Sequence, residues 1–268
     1  MNMDNMKKYA ETNRSLWDGW TEINRNSRLY DVDGFKAGKN KLKSIELEEL
    51  TEVSGKSLLH LQCHFGLDTM SWARMGARVT GIDFSPKAIA LAKSLSEELD
   101  IPASFIETDI YALPQVLKER FDIIFTSYGV LAWIRDLEKW ADIVSLYLKP
   151  GGVFYMVEFH PILGMFDDDG KKLEYPYFHS PEPMKFEAEG NYADPGHDFK
   201  HDSYEWFYGI GEVITALIKS GLKIEYLHEF PYSPTNCCPF FEMQSPGKYV
   251  MKDYAGLVPL VFSIKARL

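Results

Sequence analysis

Between residues 57 and 158 the chain alternates short apolar runs with stretches of helical periodicity, and this rhythm restricts the fold more than any other feature. Runs at 57–61, 77–82, 103–106, 121–125 and 153–158 have strand length and are rich in Val, Ile, Leu and Phe. The stretches 67–75, 87–99 and 136–148 carry apolar residues at helical spacing. Strand, helix, strand, helix in this order requires right-handed crossovers. The product is a parallel sheet with helices on both faces. The pattern therefore predicts a doubly wound, Rossmann-like α/β fold, with helix and strand resuming at 209–220, 222–230 and 258–265.

The flanking segments read differently. Residues 1–54 are helical and polar, with a loop around 30–38. Within them, 41–50 is amphipathic: Leu42, Ile45, Leu47 and Leu50 alternate with Lys41, Lys43, Glu46, Glu48 and Glu49. Residues 160–205 have no long period and are rich in Pro, Gly, Asp, Tyr and His. The segment is too long for an ordinary connection and reads as a functional insertion or lid. The expected organisation is thus a single domain: an N-terminal helical cover (1–54), a core (55–159), an insertion (160–208) and a C-terminal helix and strand hairpin (209–268).

Charge and composition exclude several partners. A net charge of −10 argues against a general nucleic-acid binder, which needs cationic surface facing phosphates. No apolar run approaches the roughly 20 residues that span a bilayer, and residues 1–20 hold no signal-peptide core. Cys63, Cys237 and Cys238 form no disulfide framework and no zinc spacing. The expectation is a cytoplasmic protein with free thiols, without membrane or nucleic-acid partners.

In an open parallel sheet, ligands bind beyond the C-terminal ends of the strands. The first strand end reads HLQCHFGLDT, where Gly66 lets the backbone approach a ligand closely. Asp83 ends the second strand, seventeen positions later, placed to accept from a ribose diol. After the third strand, Asp109 can accept from an exocyclic amine while Ile110 packs on an adenine face. Ser127, Tyr128 and Gly129 follow the fourth strand, where the reactive end of a ligand lies. The LKPGG turn leads into the fifth strand.

The strings LLHLQCHFGLDT, VTGIDFSPKAI, ETDIY, FDIIFTSYGVLAW and LKPGG make residues 57–158 resemble the core of a class I S-adenosylmethionine-dependent methyltransferase. The resemblance implies a seven-stranded sheet, mostly parallel, with a terminal antiparallel strand beside the fifth. It implies S-adenosylmethionine lying across Gln62, Cys63, His64 and Gly66, with Asp83 at the ribose and Phe84 among the cofactor-binding residues. Asp109 and Ile110 would take the adenine, and Ser127 and Tyr128 the sulfonium end. The usual first loop is acidic-x-Gly-x-Gly-x-Gly. Here His60 replaces the acid and Gln62 and His64 the first two glycines, so only Gly66 remains. The LQCHFG string is similar to that of a bacterial branch of such enzymes.

By position, Tyr128 and His160 are the candidates to orient or deprotonate an acceptor. Equally, Tyr128 fits as a cofactor-packing aromatic and His160 as a turn residue. Trp17, Trp20, Tyr30 and Phe35 fit either a cover over the site or one side of a core-packed helix. His60 and His64 lack a carboxylate or thiol partner, and the spacing of His160, His179, His197 and His201 matches no standard metal pattern, so no metal is expected. A nucleotide-dependent oxidoreductase shares the fold and the strand-two acid, but its pyrophosphate needs the glycines that Gln62 and His64 replace. A cofactor-binding regulatory protein without turnover is a further alternative. Residues 1–54 or the insertion could also pair subunits, which leaves a homodimer open. The insertion holds eleven acidic residues against four lysines and no arginine, a balance of −7. Such an acidic, aromatic lid favours a neutral or cationic small-molecule acceptor over a phosphorylated one.

Overall fold

A computed structural model describes residues 3–268; residues 1 and 2 of the expected N-terminal cover lie outside the described residues. The N-terminal segment forms α1 (Met3–Asn26), α2 (Val32–Lys36) and α3 (Ser44–Glu49). The core follows as β1 (Ser57–Leu61), α4 (Leu67–Arg74), β2 (Arg78–Asp83), α5 (Pro86–Glu98), β3 (Ala103–Glu107), α6 (Leu113–Val116), β4 (Phe121–Thr126), α7 (Leu137–Tyr147) and β5 (Leu148–Phe159). Beyond it lie β6 (Met184–Glu189), β7 (Lys200–Glu205), α8 (Ile210–Lys219), β8 (Lys223–Phe230), β9 (Phe241–Ser245), β10 (Lys248–Met251) and β11 (Val261–Arg267).

Seven strands form one sheet in the order β3-β2-β1-β4-β5-β11-β8. The first five are parallel, and β11 runs antiparallel between β5 and β8. This is the doubly wound sheet with an antiparallel C-terminal strand that the sequence predicts. Strand order reverses between β1 and β4, which opens a crevice beyond their C-terminal ends.

Both faces are covered because side chains alternate along each strand. Leu59, Ile124, Phe154 and Met156 pack with Trp140 and Val144 of α7 and Leu217 of α8. Their neighbours Leu58, Ile123, Phe125, Tyr155 and Val157 pack on the other face with Ile45 of α3 and Trp72 of α4. Each such apolar side chain contributes about 1.5–3 kcal/mol when fully buried. Helix starts are set locally. Ser85 caps α5, its hydroxyl accepting from the Ala88 N–H at 3.1 Å, and Pro86 supplies the first helical φ. Asp136 caps α7 in the same way through the Lys139 N–H.

Three expectations are corrected. The loop expected around 30–38 contains α2, whose N-cap Asp31 accepts from the Gly34 N–H at 3.1 Å. The amphipathic stretch 41–50 is helical only over Ser44–Glu49, and Glu46, assigned to its polar face, is fully buried. The insertion is not irregular throughout, since β6 and β7 form an antiparallel hairpin; in the C-terminal segment β9 and β10 form another that the sequence pattern does not reveal. No helix among the described residues is long and apolar enough to cross a membrane.

Candidate functional site

A cavity of about 1290 Å3 lies at the switch point, beyond the C-terminal ends of β1 to β5. Gln62, Cys63, His64, Gly66, Asp83, Phe84, Asp109, Ile110, Ser127 and Tyr128 all line it. His160 does not line it.

The loop after β1 keeps the backbone path of a glycine-rich turn without the glycines. Gln62 and His64 stand at φ 54° and 51°, in the left-handed region, ahead of Gly66 at 75°. Such conformations cost a side-chain-bearing residue about 1–2 kcal/mol each. Gln62→Gly is accordingly expected to raise stability by about 1 kcal/mol in urea unfolding; a loss of stability would show that the Gln62 side chain anchors the loop. Gln62 Oε1 and both ring nitrogens of His64 are buried without a hydrogen-bond partner among the described residues. Burial holds the His64 imidazole neutral, its pKa lowered to about 3. These unspent donors and acceptors at the cavity wall suit a polar ligand. His60 is spent inside the fold, with Nδ1 2.8 Å from Thr69 Oγ1 and Nε2 3.4 Å from Ser127 Oγ.

Asp83 braces this loop. Its carboxylate accepts from the His64 N–H at 2.8 Å and the Ser85 N–H at 2.9 Å. Burial outweighs these bonds and pushes its pKa up to about 6. Each carboxylate oxygen keeps a lone-pair direction for a diol. Asp109, expected as a free acceptor for an amine, is already in a two-point ion pair. Arg135 Nη1 and Nη2 lie 2.8 and 3.3 Å from its oxygens, and the Tyr111 N–H donates to it at 2.8 Å. The guanidinium sits 4.0 Å above the Tyr111 ring, which fixes its plane. Arg135 also lines the cavity and was not singled out from sequence.

At the reactive end, Tyr128 lines the cavity, but its hydroxyl donates to Glu46 Oε2 at 2.9 Å. Burial and the neighbouring Glu46 push the phenol pKa well up, so Tyr128 cannot by itself take a proton as the sequence reading allowed. Glu46 also accepts from the Lys43 N–H at 2.6 Å, and burial pushes its pKa up to about 7. A carboxyl group with a raised folded-state pKa favours the folded state below its unfolded value and loses that contribution as pH rises to the folded value. Relative to Glu46→Gln, the wild-type protein should therefore lose about 2–3 kcal/mol between pH 4.5 and 7. Paired urea unfolding curves measure this difference, and a flat one would show that Glu46 is not buried as a carboxyl group.

His160 is turned away from the cavity. Its Nδ1 accepts from the Ile162 N–H at 3.1 Å, which leaves Nε2 to donate to Glu229 Oε1 at 2.9 Å. Both nitrogens are spent, the residue is buried, and its ring meets Phe262. It holds the turn after β5, and its candidacy to orient or deprotonate an acceptor ends there. Its neighbour Glu158 was missed as a site residue. It accepts from the N–H groups of Gly129, Val130 and Leu131, and so fixes the segment after β4. A lone carboxylate inside the apolar run VFYMVEF was the available signal.

The N-terminal segment and the insertion meet over this crevice. Trp17, Trp20, Tyr30 and Tyr192 line the cavity, whereas Phe35 is buried in the core beside Phe65. Asp18 Oδ1 accepts from Ser85 Oγ at 2.6 Å and ties α1 to the start of α5. Asn13 exchanges two hydrogen bonds with the Tyr204 backbone, at 2.7 and 2.8 Å. Asp167, Asp168, Glu187, Glu189 and Glu205 of the insertion face the same space. Not every insertion aromatic is inside: Phe178 is 77% exposed.

A methyltransferase-domain profile matches residues 53–206. A ubiquinone biosynthesis O-methyltransferase of Methylobacterium sp. is 30% identical over 103 residues, covering 38% of this chain and 41% of that protein. An uncharacterised methyltransferase of Synechocystis sp. is 33% identical over 125 residues, covering 46% and 56%. The chain thus spans about half the length of the curated relatives it matches. The crystal structure of an S-adenosylmethionine-dependent methyltransferase from Mesorhizobium loti shares the fold, with a TM-score of 0.56 at 21% identity over 87% of this chain and 100% of that one. The chain belongs to the methyltransferase-domain family. That membership sets aside the oxidoreductase alternative.

Proposed function

We propose that this protein transfers the methyl group of S-adenosylmethionine to a small neutral or cationic acceptor by in-line displacement, and that its LQCHFG loop is a working variant of the family's first motif. The observation that carries this reading is the gathering of all ten expected cofactor residues on one cavity of about 1290 Å3. A single-ligand site usually occupies about 300–1,000 Å3, so this one has room for cofactor and acceptor together.

In this reading the cofactor, when bound, supplies an activated methyl on a positively charged sulfur with a neutral leaving group. The chain's own residues place and enclose the reactants. Asp83 accepts from the ribose hydroxyls, Phe84 and Ile110 pack on the adenine, and Arg135 holds Asp109 toward its amino group. Gln62 and His64 offer their unpaired polar atoms to the amino-acid end, and Ser127 and Tyr128 border the transfer position. Holding two reactants in line contributes up to roughly 7–11 kcal/mol. Where the acceptor loses a proton, Tyr128 Oη accepts it while passing its own to Glu46 Oε2, 2.9 Å away. The five acidic side chains that the insertion turns toward the cavity support a neutral or cationic acceptor.

A panel of amines, phenols, thiols, carboxylates and phosphorylated compounds, incubated with labelled S-adenosylmethionine, tests this. Labelled product is expected among the neutral and cationic members. Transfer confined to the phosphorylated members contradicts the acceptor class, and cofactor binding with no transfer across the panel favours the regulatory alternative.

A further inference from the structure

We propose that the indole faces of Trp17 and Trp133 grip the positive charge on the cofactor's sulfur, so that this site holds the sulfonium more tightly than the neutral thioether left after transfer; the inference rests on the S-adenosylmethionine site assigned above. Trp17 comes from α1 and Trp133 from the turn that follows β4, and both line the cavity. Their ring centroids are 5.4 Å apart at 83°. The Trp17 ring also lies 5.1 Å from the His64 ring, at 71°. Trp17 therefore bridges the loop after β1 and the segment after β4, over the switch-point crevice. In this arrangement the ribose is fixed by Asp83, which is bonded directly to the His64 backbone. The sulfur of the cofactor is attached one carbon beyond the ribose, so a ribose held by Asp83 would leave it within reach of the Trp17 ring, which adjoins His64.

The surroundings favour a cation there. An indole face attracts positive charge, most strongly where water is excluded. Trp20 makes near-perpendicular contacts with both rings, at 5.3 and 6.3 Å, and adds a third indole to the cluster. No fixed cation competes among the bridge's ring neighbours, since the His64 imidazole is neutral. Of the cationic side chains lining the cavity, Arg135 is paired with Asp109, and Lys41 and Lys43 come from the segment before α3. The consequence for turnover is directional. Methyl transfer removes the charge, weakens the grip and helps the spent cofactor leave.

Calorimetric titration of the full chain with S-adenosylmethionine and S-adenosylhomocysteine tests the inference. The wild-type protein should bind the sulfonium about 5- to 30-fold more tightly than the thioether. Trp17→Leu should bring the two affinities close together, and Trp17→Phe, which keeps an aromatic face, should restore most of the difference. Trp133→Leu gives the same readout if Trp17→Leu does not fold. Thioether binding as tight as sulfonium binding in the wild type, or a ratio unmoved by either leucine variant, overturns the inference and leaves the cofactor assignment standing. Binding of neither compound overturns that assignment as well.

Discussion

Glu158→Ala is expected to cost about 3–5 kcal/mol of stability, the largest single effect of any substitution near the site. Four backbone donors converge on this one carboxylate, three of them from the segment after β4, on Gly129, Val130 and Leu131, and the fourth on the adjoining Phe159. Each buried donor left unpaired costs about 1–3 kcal/mol, and Val130 and Leu131 are both buried. Burial pushes the Glu158 pKa up to about 7 despite these bonds, so part of the cost is returned when the buried charge disappears. Glu158→Gln keeps one acceptor oxygen and should fall between wild type and alanine. Urea unfolding measures the series. A loss under about 1 kcal/mol for alanine would mean that the segment after β4 holds its shape without Glu158.

Asp83→Ala is expected to weaken S-adenosylmethionine binding by about 1.5–3 kcal/mol, roughly 10- to 100-fold, the range for hydrogen bonds to a charged group. The side chain has two duties. It lines the cavity, where the proposed reading has it accept from the ribose, and it holds the N–H groups of His64 and Ser85. Asp83→Asn keeps the shape and one acceptor and separates the two. The pH dependence has a definite sign. The ionised carboxylate is the better acceptor and its pKa is about 6, so affinity should fall as pH drops through 6. Unchanged affinity in Asp83→Ala removes the ribose role.

The sheet was legible because its signals are local and repeated. Five apolar runs separated by helical periods specify the crossovers whatever the rest of the chain does, and the C-terminal edge then collects Gly66, Asp83, Asp109 and Ser127 without further information. What sequence could not supply were pairings across long separations. Tyr128 meets Glu46 and Asp109 meets Arg135 only once the fold exists. Glu46 read as surface because its helix is short and its neighbours are charged, yet the core closes over it. His160 misled for the converse reason. It follows β5, the expected position for a catalytic residue, but its ring turns back into the β11–β8 side of the sheet to reach Glu229. The β6–β7 hairpin gave a weak strand signal because only β6 alternates, Met184, Phe186 and Ala188 with Lys185, Glu187 and Glu189, whereas β7 reads KHDSYE, and its place is fixed by α1 through Asn13.

The central claim is that the crevice between β1 and β4 is an S-adenosylmethionine site built on a glycine-poor loop. Parallel calorimetric titrations of the wild-type chain with S-adenosylmethionine and with NADH test it most directly. The expected result is micromolar binding of S-adenosylmethionine, lost or weakened at least about tenfold in Asp83→Ala, and no binding of the dinucleotide. Micromolar binding of NADH with none of S-adenosylmethionine contradicts it.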